Sequence, residues 1–173
     1  MLQKLSLILG GASSGKSAFA ESLVVATKAP RVYLATSQAF DDEMRAKIAA
    51  HLDQRGPDWR TIESPLDTAH ALSQVAESEV VLLDCATMWL SNHLLAESDI
   101  AAEQERLLTA LSNCNGRIVV VTNEVGLDVV PDNKLARQFR DAQGKLNQAI
   151  AAQADLAVLV VAGLPMLLKG ELP

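Results

Sequence analysis

The stretch that decides the fold is Leu5-Ser6-Leu7-Ile8-Leu9-Gly10-Gly11-Ala12-Ser13-Ser14-Gly15-Lys16-Ser17. A short aliphatic run gives way to a turn of glycine and serine, and a helical pattern, Ser17 to Ala26, follows. Gly10 to Ser17 matches GxxxxGK[ST] in full. The glycines let the backbone curl so that its N–H groups point inward at phosphate oxygens. The N-terminus of the next helix adds the positive end of its dipole. In such a loop Lys16 reaches the β- and γ-phosphates and Ser17 holds Mg²⁺. A Gly/Ser turn can match by chance, but the strand before it and the helix after it favour a nucleotide.

Working outward, four more aliphatic runs read as strands: Val32 to Ala35, Val80 to Leu83, Ile118 to Val121 and Leu156 to Val161. Continuous apolar runs of this length suit strands covered on both faces, as in a parallel sheet. Between them Asp41 to Gln54, Thr68 to Ala76, Ala101 to Leu111 and Lys134 to Ala154 read as helices. In the last, Leu135, Phe139, Ala142, Leu146 and Ala149 mark an expected buried stripe, and Pro131 and Asp132-Asn133 a start. Alternating strands and helices predict an α/β fold, a mainly parallel sheet flanked by helices. With 173 residues and 49% apolar content, one P-loop domain spanning 1–173 is expected.

Composition excludes several classes. The net charge of −6 argues against general nucleic-acid binding, and 3% aromatics leave few platforms for stacking bases. Cys85 and Cys114 form neither a CxxC pair nor a disulfide framework, which suits a cytoplasmic location. The apolar start is too short for a signal peptide, and no stretch reaches the length of a membrane span.

Val80-Val81-Leu82-Leu83-Asp84 places an acid at the carboxyl end of a strand, where it can hold Mg²⁺ or else cap the segment that follows. Lys47, His51 and Arg55 form one helical row. That row can be a wall for a polyphosphate, with a neutral imidazole able to attack phosphorus. It can equally be a core-boundary histidine between solvated cations, since Met44, Ile48 and Leu52 share the adjoining face. His70 and His93 read as structural or surface groups, and Trp59 and Trp89 as core or interface groups. Glu124, after a strand end, either faces a ligand or shapes a turn, and Arg137 and Arg140 meet phosphate or solvent.

The segments LILGGASSGKSAFAESL, VYLATSQAFDDEMRAKIAAHLDQRGPDWRTIESP, VVLLDCATMWLSNHLL, IVVVTNEVGLDVVPDNKLARQFRDAQGKLNQAIAAQAD and VAGLPMLLKG carry a resemblance over nearly the whole chain. Together they resemble the bifunctional adenosylcobinamide kinase / adenosylcobinamide-phosphate guanylyltransferase family of cobalamin biosynthesis. The resemblance implies a RecA-like P-loop fold, a homotrimer, and two reactions. A triphosphate, ATP or GTP, phosphorylates adenosylcobinamide. GTP then donates GMP to that phosphate, giving adenosylcobinamide-GDP and pyrophosphate.

The family's guanylylated histidine falls on His51. Its nucleotide contacts fall on Gly10, Gly11, Ala12, Ser13, Ser14, Gly15, Lys16 and Ser17, and on Ala35, Thr36 and Ser37. They continue over Leu52, Asp53, Gln54 and Arg55 to Glu63 and Asp84. The implied partners are the nucleotides with Mg²⁺, on Ser17 and Asp84, and a corrinoid. Three departures stand out. Ser13 replaces a frequent arginine, Ala50 precedes the lone His51, and Asp84 stands where some members carry glutamate. The base of the kinase step is not legible, and Glu63 and Asp84 are its candidates. An ordinary small-molecule kinase and a nucleotide-gated regulatory module are the competing readings.

Overall fold

In a computed structural model, residues 1–38 and 58–173 are described. Seven strands appear among them: β1 Leu5–Gly10, β2 Arg31–Ala35, β3 Trp59–Glu63, β4 Val80–Asp84, β5 Arg117–Asn123, β6 Leu156–Val161 and β7 Leu164–Lys169. The helices are α1 Lys16–Ala26, α2 Thr68–Ser73, α3 Ala86–Leu95, α4 Ile100–Asn113 and α5 Lys134–Gln153. The strands form one sheet in the order β3-β2-β4-β5-β1-β6-β7, parallel throughout except for the β6–β7 hairpin. The α/β architecture expected from the sequence is therefore present.

Strand period explains why the central runs lack polar alternation. Leu7, Val81, Leu83, Ile118 and Val120 point to one face, where they meet Leu72, Trp89, Leu90, Leu107, Leu111, Leu146 and Ile150. Ile8, Val80, Leu82, Val119 and Val121 point to the other, where Ala20, Leu23 and Val24 of α1 cover them. Both faces are buried, so the central runs Val80 to Leu83 and Ile118 to Val121 are apolar at every position, and in β1 only Ser6 interrupts the run from Leu5 to Leu9.

Two strands lie outside the five aliphatic runs, for a physical reason. β3 and β7 are the edges of the sheet. β3 reads Trp-Arg-Thr-Ile-Glu and is only half covered, and all six residues of β7 are exposed, so neither carries the signature of a strand buried on both faces. Pro165 in β7 is tolerated because an edge strand has a side with no ladder to complete.

The helices differ in detail. α3 is a full ten-residue helix, its first turn capped by Cys85 Sγ accepting from Met88 N–H. α4 begins earlier than expected because Asp99 caps it, accepting from the N–H groups of Ala101 and Ala102. α2 ends at Ser73. In α5, capped by Asn133, the buried line is Gln143, Leu146, Asn147 and Ile150, with Phe139 and Ala142 at its margin. Leu135 is 54% exposed, so the expected stripe is displaced from its first position. The expected helix from Asp41 to Gln54 lies outside the described residues.

Candidate functional site

Parallel strands bring their carboxyl ends to one edge of the sheet, the place where α/β folds bind ligands. Gly10 pairs with Asn123, and Ala35 pairs with both Asp84 and Glu63. The end of β1, the end of β5 and the end of β4 are consecutive along this edge.

The Gly10–Ser17 loop is built here. Ser14 N–H donates to Gly11 O at 3.3 Å, Ser13 has φ 55°, and Gly15 has φ 91° at the start of α1. Gly15 is needed twice over: its φ is left-handed, and a Cβ would lie 3.1 Å from Gly163 Cα. At Gly10 a Cβ would lie 2.3 Å from Ser14 Oγ and 2.7 Å from Val160 O. The loop is held from outside as well, because Gly163 N–H, in the β6–β7 turn, donates to Ser14 O at 2.8 Å. Lys16 Nζ folds back to Gly11 O at 3.1 Å, across the mouth of the loop. Ser14 Oγ is enclosed without a partner among the described residues.

Thr36 is fully buried, and its side chain is committed to the protein. Its hydroxyl donates to Cys85 O at 2.7 Å and accepts from Cys85 N–H at 2.8 Å, while its own N–H donates to Asp84 O at 3.3 Å. Asn92 Nδ2 donates to Thr36 O at 2.7 Å and to Pro65 O at 2.9 Å. Thr36 thus welds the end of β2 to the end of β4 and sets where Asp84 stands. Ala35 and Ser37 flank it, half-buried, and Glu63 is exposed at the end of the edge strand β3. Burial, and then the neighbouring Asp84 charge, push the Cys85 thiol from 9.0 up to about 11. His51, Leu52, Asp53, Gln54 and Arg55 lie outside the described residues, as does Lys47.

The remaining candidates separate cleanly. His93 is buried beside Trp89, with ring centroids 4.6 Å apart, and its nitrogens face Ser98 Oγ and Leu66 O, which is a structural setting. Trp89 is core, and exposed His70 pairs with Gln74. Trp59 packs edge-on to Tyr33 with the Arg31 guanidinium over its ring. Arg137 donates to the carbonyls of Pro131 and Asp132, and Arg140 to Gly126 O. These arginines hold backbone near the loop after β5.

Sequence reasoning missed a buried polar network behind the site. Gln143 Nε2 donates to Thr122 Oγ1 and to Asn147 Oδ1, and Thr122 Oγ1 donates to Asn147 Oδ1. Asn147 Nδ2 donates to Asn123 O, and Asn123 N–H donates to Thr87 Oγ1 at 2.7 Å. The available signal was Thr122 ending an aliphatic run, with Gln143 and Asn147 on the inward face of a long helix.

Helices on both sides of a mainly parallel sheet, with a phosphate loop between its first strand and helix, define a P-loop nucleotide-binding fold. Solved structures agree. An ATPase of a type III secretion system of pathogenic bacteria superposes with TM-score 0.59 at 12% identity, over 95% of this chain and 56% of its own. The P4 protein of bacteriophage phi6, in complex with ADP, superposes with TM-score 0.51 at 16% identity, over 94% of this chain and 52% of its own.

Sequence comparison is more specific. Residues 6–168 match the family model described as cobinamide kinase / cobinamide phosphate guanyltransferase, and the chain belongs to that family of bifunctional enzymes. The bifunctional adenosylcobalamin biosynthesis protein CobP of Pseudomonas aeruginosa is 47% identical over 168 residues, 95% of this chain and 97% of its own. CobU, the protein of the same description in Salmonella typhimurium, is 42% identical, over 94% of this chain and 98% of its own.

Proposed function

We propose that this chain, as one P-loop domain, phosphorylates adenosylcobinamide with ATP or GTP. It then transfers GMP from GTP to the product through a guanylyl-histidine at His51. The observation that carries the reading is the phosphate loop formed at the carboxyl edge of the sheet in a chain of this family. In the kinase step the acceptor hydroxyl attacks the γ-phosphorus, and the loop's N–H groups and Lys16 neutralise the charge that builds on the leaving diphosphate. In the transfer step a neutral His51 nitrogen attacks the α-phosphorus and pyrophosphate leaves. The corrinoid phosphate then displaces the imidazole. One P-loop serves both reactions in turn.

Mg²⁺ fits the residues at hand. Ser17 and Asp84 are hard oxygen donors near the loop, and no group of three or more His, Cys, Asp or Glu is gathered as a metal cage among the described residues. That sparse set matches an ion held mainly by substrate phosphates, to which it would lend charge neutralisation. Ala35, Ser37, Glu63 and residues 52–55 complete the nucleotide site in this reading, with Thr36 acting through the position it gives Asp84.

Self-association, as a homotrimer in this reading, is supported by β7, where Leu164, Met166 and Leu168 are 72%, 56% and 56% exposed on an edge that pairs with no further strand among the described residues. A cytoplasmic location accords with two free cysteines and with no described helix long and apolar enough to cross a membrane.

The test is incubation with GTP labelled at the α-phosphorus. Acid-labile, base-stable label on the wild-type chain, absent from His51→Ala, supports the guanylyl-histidine. Transfer that persists without covalent label refutes it.

A further inference from the structure

We propose that Glu124 is the carboxylate that takes the proton from the acceptor hydroxyl in the kinase step. The proposal rests on the kinase half of the function set out above. Its ground is distance along the carboxyl edge of the sheet. Neighbouring strands stand about 4.8 Å apart. Glu63, at the end of β3, is four strands from the phosphate-loop strand β1, about 19 Å across the sheet. Asp84, at the end of β4, is two strands away, about 10 Å, and in this reading serves the metal. Glu124 follows β5, which is adjacent to β1, and its N–H donates directly to Gly10 O at 3.1 Å. Lys16 Nζ is bonded to the next carbonyl, that of Gly11. The phosphate-binding ammonium and the Glu124 backbone are therefore fastened to successive carbonyls of the same loop.

The side chain is prepared as well as placed. Glu124 Oε1 accepts from Gly126 N–H at 2.7 Å, and Oε2 has no hydrogen-bond partner among the described residues. A Cβ at position 126 would lie 2.9 Å from Oε1, so glycine there leaves room for the carboxylate. Arg140 Nη2 holds Gly126 O at 2.8 Å. Upstream, Asn123 is gripped at both backbone groups, by Thr87 Oγ1 and Asn147 Nδ2. A buried polar network of this kind costs desolvation that an apolar core would avoid, and what it returns here is a fixed position for residue 124. Glu124 also lines a cleft of about 520 Å³ between α5 and the β6–β7 hairpin, with Leu9, Leu127, Ala151 and Leu168 on its apolar walls. A substrate's hydroxyl arm entering that cleft would meet Glu124, the one carboxylate among the described residues that line it. In the step, the hydroxyl proton passes to Oε2 and the oxygen forms a bond to the γ-phosphorus. The γ-phosphorus–oxygen bond to the β-phosphate breaks, and its electron pair leaves with the nucleoside diphosphate.

The two half-reactions supply the test, because only the kinase step removes a proton from an alcohol. Each is measured separately, with adenosylcobinamide plus ATP and with preformed adenosylcobinamide phosphate plus GTP. Glu124→Gln is expected to lower kcat of the kinase step by about 100-fold or more while the nucleotide KM and the guanylyl transfer stay near wild type. Glu124→Asp should recover part of the kinase rate. Kinase activity of Glu124→Gln within about threefold of wild type, or equal loss of both half-reactions, overturns the proposal. If the wild-type chain fails to phosphorylate adenosylcobinamide, the kinase reading itself fails, and that outcome is visible before any variant is made.

Discussion

Replacing Thr36 with valine removes a hydroxyl while keeping the volume, so it isolates the weld between β2 and β4. Thr36 Oγ1 serves Cys85 twice, accepting from its N–H at 2.8 Å and donating to its carbonyl at 2.7 Å, in a fully buried site. The two losses are unequal. Cys85 O keeps a second partner, Trp89 N–H at 3.2 Å, and so forfeits one ordinary hydrogen bond, about 1 kcal/mol. Cys85 N–H is left buried with no acceptor, which costs about 1–3 kcal/mol. The sum is about 2–4 kcal/mol, with no cavity to add. For a chain of 173 residues that corresponds to a fall in Tm of about 4–16 °C. Urea unfolding should show a lower midpoint with an unchanged slope, and Thr36→Ser should recover most of the loss. Because the lost hydroxyl anchors Cys85, the residue that follows Asp84, the valine variant should need more Mg²⁺ for half-maximal activity. A valine variant within about 0.5 kcal/mol of wild type would refute the weld.

Three further outcomes follow from the same geometry. The raised Cys85 thiol stays protonated in the folded chain while the unfolded thiol ionises near 9.0. Its contribution is therefore present below pH 9 and lost as pH climbs towards 11, about 3 kcal/mol at most. Urea titrations across that range should show the decline, and Cys85→Ala should flatten it. Gly10→Ala forces a Cβ into Ser14 Oγ and Val160 O, so equilibrium dialysis should show nucleotide affinity reduced at least about tenfold, with a stability loss of about 1–3 kcal/mol. Charging the exposed edge with Leu164→Glu and Met166→Glu should shift the chain from the proposed trimer to monomer in sedimentation, and an unchanged mass would refute β7 as the interface.

The central sheet was legible because strands covered on both faces are aliphatic at every position, as Val80 to Leu83 and Ile118 to Val121 are. The edges were not, because β3 is half covered and β7 is exposed, and an edge strand needs no such pattern. The phosphate loop was legible because its curl requires glycine at fixed spacing. Its outer support, Gly163 N–H on Ser14 O, joins residues 149 positions apart, and nothing local announces it.

The sequence by itself determined the class of fold, the phosphate loop, Asp84 at a strand end and the family, since each is written in short runs or in residue order. Only the tertiary structure decided what the other polar residues do. It buried the Thr36 hydroxyl against Cys85, spent His93 and Arg140 on backbone carbonyls, and set Glu124 rather than Glu63 next to the loop. The reason is strand order. Neighbours in a parallel sheet are chosen by crossovers through helices, so positions 10 and 124 meet while position 63, nearer in the chain, stands four strands away.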